Sequence, residues 1–106
     1  MSEADDRVAL QARWLDLTRR VLPGIAAAHR WPIRLDHCFM RVCLDAAIGQ
    51  RWDQVVARPA IRHLSTAQLS LAIAIAERIA AQPELLPLMN RASLEMRGHR
   101  TECGAS

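Results

Sequence analysis

His37, Arg41 and Asp45, spaced four apart, form the strongest polar constellation in the chain. On a helix this spacing sets them along one stripe, where Arg41 can bridge to both neighbours or His37 can act as an acid–base group. Asp45 is too distant to orient the His37 ring, and no nucleophile or oxyanion-donor set accompanies the stripe. A solvated or partner-binding helix face accounts for the same spacing, and no residue is assigned a catalytic role. His37 and Cys38, being adjacent, point about 100° apart around a helix and do not form a thiol–imidazole dyad. Cys38 and Cys43, five apart, match no zinc-ligand spacing, and His99 and Cys103 lack a helix to hold their spacing of four. Neither a metal site nor a cofactor is expected.

Charge supplies the second candidate. All fourteen basic residues are Arg, set against eleven acids for a net charge of +3. The excess is local. Residues 1–29 and residues 63–106 each balance, whereas residues 30–62 carry six Arg against Asp36, Asp45 and Asp53. The same third holds Trp31, Phe39 and Trp52. Arg beside exposed aromatics marks surfaces that contact proteins, acidic ligands or nucleic acid, because the planar guanidinium pairs bidentately with anions and stacks on rings. Trp31 and Trp52 could equally be core residues beneath solvated Arg. The candidate binding residues are therefore Trp31, His37, Arg41, Asp45, Trp52, Arg58 and Arg62.

The elements that must position these residues are helical. With 106 residues, 51% hydrophobic and 24% charged, the chain has enough for one modest core, and its composition excludes disordered, collagen-like and disulfide-scaffold classes. The first amphipathic helix spans Glu3 to Leu22 on Leu10, Trp14, Leu17 and Val21, with Asp16–Arg20 as a surface pair, and Pro23-Gly24 stops it. A second runs from Asp36 as N-cap to Ile48 with Gly49 as its stop, burying Leu35, Phe39, Val42 and Ala46 beside Cys38 and Cys43. A short helix is expected over Gln50–Ala57. Ser65 and Gln68 form a capping box opening a helix that runs to Ala81, expected to be the central one because apolar residues cover most of its circumference. A last helix opens at Pro83 or Pro87, with Leu88, Met89, Ala92 and Met96 inward and Gly98 at its end. The prediction is an all-α single compact domain, orthogonal or bundle-like, of four to five helices over residues 1–98, with a flexible tail over 99–106.

Cellular context follows from exclusions. The longest strictly apolar stretch, Leu71–Ala76, is far too short to span a bilayer, so no membrane partner is expected. The acidic start, MSEADD, lacks the basic and apolar regions of a signal peptide. Three cysteines without a C-x-x-C spacing read as reduced thiols, and the expected location is cytoplasmic.

The run Leu35-Asp36-His37-Cys38-Phe39-Met40-Arg41-Val42-Cys43-Leu44-Asp45, followed by Gly49, Trp52, Val55, Pro59-Ala60 and Leu64-Ser65, resembles a pattern of small, mostly hypothetical proteobacterial proteins. Leu88-Met89-Asn90-Arg91-Ala92-Ser93-Leu94 and Arg97-Gly98 are similar to its ending, so the resemblance covers about two-thirds of the chain. Some such proteins carry the label GCN5-related N-acetyltransferase, which implies acetyl-CoA held on an [Arg/Gln]-x-x-Gly-x-[Gly/Ala] loop; this sequence has no such loop. What the resemblance implies is bacterial, cytoplasmic origin.

The leading expectation is a non-enzymatic protein-interaction or regulatory module that contacts an acidic protein partner, or a second copy of itself, through residues 30–62. Nucleic-acid binding through the same surface is the alternative, without a helix-turn-helix spacing to support it. Acyl transfer follows from the family label alone.

Overall fold

The computed structural model describes residues 3–98, and the expected tail at 99–106 lies outside them. The elements are α1 (Glu3–Asp16), a π-helical turn (Leu17–Val21), α2 (Leu22–His29), α3 (Asp36–Ile48), a 3-10 turn (Trp52–Gln54), the single-turn α4 (Ala60–His63), α5 (Thr66–Ala81) and α6 (Leu85–Met96). The fold is all-α, with no strand among the described residues. Within those residues, no helix is long and apolar enough to cross a membrane.

The first departure from expectation is that Pro23-Gly24 stops nothing: α1, the π turn and α2 run on as one helix from Glu3 to His29. Proline removes one amide donor and crowds the carbonyl four residues back. Here the preceding turn is widened, and the Leu22 amide donates to the Leu17 carbonyl, five residues back. Thr18, fully buried, satisfies its hydroxyl by donating to the Trp14 carbonyl at 2.9 Å. The helix ends at Arg30, which adopts the left-handed conformation at φ 52°. Asp16–Arg20 forms as expected, at 2.6 Å.

α3 is the hub. Residues 41–45 are all buried in succession, so this helix is enclosed around its whole circumference. The expectation that α5 would be the central helix is corrected. α5 buries one stripe, Leu69, Ala72, Ile73, Ala76 and Ile79, and leaves Leu71 on the surface. At the N-terminus of α3, Leu35 takes the cap position and is itself exposed, while Asp36 accepts from the His37 amide at 2.9 Å. Gly49 ends α3 at φ 84°, a conformation that favours glycine, as read from the sequence. The Ser65–Gln68 capping box forms with both reciprocal bonds, 3.0 Å and 2.8 Å.

Two further expectations change. Between α3 and α4 the chain makes only the 3-10 turn at Trp52–Gln54 rather than a helix over 50–57. α6 starts at Leu85, with Pro87 inside its first turn, where the missing amide would have had no helical partner. Its inward face is Leu86, Met89, Asn90 and Ser93, not the apolar stripe ending at Met96; Leu88, Ala92 and Met96 face out.

The thiols also differ from expectation. Cys38 is disulfide-bonded, which corrects the reading of all cysteines as reduced and removes the cysteine argument for a reducing compartment. Cys43 is a free, buried thiol that burial pushes up to about 12, so it stays protonated and unreactive at neutral pH.

Candidate functional site

The His37–Arg41–Asp45 stripe divides between two environments. His37 sits at the exposed start of α3, with its side chain 64% accessible. Arg41 and Asp45 turn inward and are 7% and 0% exposed. The expectation that they lie on a solvated or partner-binding face is therefore corrected, because α6 covers them. Asp45 accepts four hydrogen bonds: from Ser93 Oγ at 2.6 Å, from Arg97 Nε at 2.7 Å, from Arg97 Nη2 at 3.0 Å and from the Trp52 amide at 2.9 Å. The carboxylate thus clamps the end of α6 and caps the 3-10 turn together.

Arg41 completes the network from the other side. It donates through Nη1 to Ser93 Oγ at 2.7 Å and through Nη2 to Asn90 Oδ1 at 2.6 Å. Its Nε is buried without a partner. Burial holds the Arg41 guanidinium below its ordinary value, the nearby charge of Arg97 adds to that, and Asp45 opposes it. Ser93 donates a hydrogen bond to Asp45 and accepts one from Arg41, so its hydroxyl serves as both donor and acceptor. With Ser93 only 2% exposed and no imidazole in the network, the arrangement locks helices together and offers no nucleophile.

A second cluster lies against the first. Asp53 accepts from Arg51 at 3.2 Å and from Arg58 at 3.1 Å, and Arg97 approaches it at 4.0 Å. Burial works against ionisation of Asp53, but the hydrogen bonds from Arg51 and Arg58 and the charges of Arg51 and Arg97 outweigh it, holding the carboxyl below its ordinary value. Arg58 also lies over the Trp52 ring, 5.2 Å from its centroid. The Arg58 side chain remains 71% exposed, and Arg62, four residues on in α4, is also exposed.

Of the sequence-derived candidates, the structure sets the exposed Arg58 over the ring of Trp52, which is half-buried against the core, and leaves His37 and Arg62 accessible. Trp31 is withdrawn: at 4% exposure it packs on Phe39, and its indole donates to the Pro83 carbonyl at 3.1 Å, tying the α2–α3 connection to the α5–α6 turn. Asn90, Ser93 and Arg97 were not among the candidates. Their own spacing of three and four makes a polar stripe on α6 that matches the Arg41–Asp45 stripe on α3, and this was the signal available.

Between α1, α3 and the 52–61 segment lies a cleft of about 250 Å³, with apolar walls that include Trp14, Leu44, Trp52 and Ile61. Arg19, His37 and Arg41 also line it. Among the described residues, no three His, Cys, Asp or Glu side chains gather to hold a metal ion.

Set beside known proteins, the chain matches no family model, no curated protein and no solved structure. The proteobacterial resemblance accordingly rests on the quoted residues alone.

Proposed function

We propose that this protein is a non-enzymatic helical interaction module that binds an acidic segment of a protein partner through the face formed by Trp52, Arg58 and Arg62. One observation carries the reading: Arg58 is both exposed and held in place, stacked over Trp52 at 5.2 Å and braced by Asp53 at 3.1 Å. A guanidinium fixed in this way loses less freedom on binding a carboxylate than a free one does, and its planar fork suits bidentate pairing. The local excess of positive charge across residues 30–62 adds complementarity toward acidic partners.

The test is titration of the whole protein with a deca-glutamate peptide at low salt. Saturable binding that is lost in an Arg58→Glu/Arg62→Glu double variant of unchanged helicity supports the proposal. Retained binding in that variant, or none in the parent, rejects it. Duplex or single-stranded DNA bound more tightly than the peptide, with affinity falling steeply as salt rises, moves the function to nucleic-acid binding. Concentration-dependent sedimentation abolished by the same double variant moves it to self-association.

A further inference from the structure

The cleft behind Trp52 differs from the exposed Arg face in chemistry and scale. Its lining includes three basic side chains, Arg19, His37 and Arg41, and no acidic one. Arg19 has a partner outside that lining, Asp36 at 3.6 Å, a long and exposed contact. Arg41 has none of opposite charge within hydrogen-bond distance. Its two bonds go to the neutral oxygens of Ser93 and Asn90, and the one carboxylate near it, Asp45, is spent on Ser93, Arg97 and the Trp52 amide. The buried Nε–H of Arg41 has no acceptor among the described residues. A buried cation that hydrogen-bonds only to neutral acceptors, stands near the charge of Arg97 and shares the Asp45 counter-charge with it is costly to maintain, and an anion is a group that would relieve it.

Size and walls define the rest of the ligand. The cleft, at about 250 Å³, exceeds the roughly 150 Å³ cavity that accommodates a benzene ring and leaves room for a second fused ring. Trp14, Leu44, Trp52 and Ile61 supply flat and branched apolar walls, which favour an aromatic body over a polar one.

From this geometry we propose that the cleft between α1, α3 and the 52–61 segment is a binding site for a small bicyclic aromatic carboxylate, its carboxylate paired with Arg41 and its rings between Trp14 and Trp52. Arg19 adds positive charge to the site; Arg41 is the binding residue that discriminates carboxylate from neutral analogues.

The probe is 2-naphthoate, titrated into the full chain by calorimetry and by tryptophan fluorescence, with 2-naphthalenemethanol as the neutral analogue of nearly the same shape. Naphthoate binds saturably, changes the tryptophan emission and binds at least tenfold more tightly than the alcohol. Arg41→Met reduces the carboxylate to the affinity of the alcohol. Because Arg41 also joins helices, Ala60→Phe is the companion variant: Ala60 lines the cleft from the short α4, and the added ring fills the space and abolishes binding of both compounds. Absence of saturation by naphthoate up to millimolar concentration overturns the proposal. So does equal affinity for the alcohol, or unchanged binding in Ala60→Phe. None of these outcomes depends on the exposed Arg58–Arg62 face, so the two proposals fail separately.

Discussion

Asp45 and Asp53 each hold arginines, stand within reach of the same Arg97, and nevertheless do different work. Asp45 is 0% exposed, and all but one of its bonds come from Ser93 and Arg97, at the end of a helix that must be docked for those bonds to exist; the other comes from the Trp52 amide. Asp53 receives Arg51 from two residues away and Arg58 from five away, so its bonds constrain one local segment. Buried, satisfied charges are expensive to disturb, because whatever remains stays desolvated without its partner. Half-open ones are screened and can return to water. Number of ion pairs is thus a poor guide to stability in this protein; the sequence distance between partners and the depth at which they meet decide it.

The sharpest way to break that contrast is Asp45→Asn. It should cost about 3–5 kcal/mol, read from urea denaturation, because Arg97 and Arg41 lose their buried counter-charge. A loss below 1 kcal/mol would place the two clusters in the same class. Ser93→Ala comes next, at about 1–3 kcal/mol, since it removes one donor to Asp45 and leaves Arg41 Nη1 without its acceptor.

Asp53→Asn should cost about 1 kcal/mol or less at neutral pH. Its pH signature is more telling. The folded carboxyl lies below its ordinary 3.8, so its contribution is complete above that value and is lost as pH falls through the depressed folded one. Asp53→Asn should therefore flatten the acid limb of the stability profile, measured as denaturation midpoint against pH, without shifting it at neutral pH by more than the small loss stated. The smallest effect belongs to Arg58→Ala, about 0.5 kcal/mol or less, since its exposed side chain returns to water freely. Loss of peptide binding with so little loss of stability would separate recognition from folding in the same residue.

Much of the architecture could be read without coordinates because it rests on local rules. The Ser65–Gln68 capping box and the left-handed Gly49 each involve residues three or four apart, or a single backbone preference. The Arg41–Asp45 network was hidden for a physical reason. A polar stripe at helical spacing looks the same whether water or another helix satisfies it, and the side chains that satisfy this one lie 48 to 52 residues away. The same ambiguity misled the reading of α6, whose apolar Leu88 faces water while Asn90 faces the core. Trp31 could not be placed either, because what buries it is a carbonyl at Pro83 and the Phe39 ring, neither adjacent in sequence. The stacking of exposed Arg58 on Trp52 was foreshadowed by composition: it falls in the one third of the chain where positive charge is in excess.

The widened turn at Leu17–Val21 also sets the phase of the first helix. Its fully buried residues include Trp14, Thr18, Leu22 and Ala26, a spacing of four throughout. In an uninterrupted α-helix each such step over-rotates by about 40°, so three steps would swing Ala26 roughly 120° away from the face that Trp14 occupies. Accommodating one extra residue in the turn takes back about 100° of that, the angular share of a single residue. The two halves of the helix therefore present one continuous seam to α3 and α5, with Pro23 carried along on the outer side. A chain lacking one residue between Leu17 and Val21 could close the turn to a regular α-helix and would still bring Leu22 and Ala26 to within about 20° of the Trp14 azimuth, whereas forcing a regular α-helix on the full-length segment would turn them away from the seam.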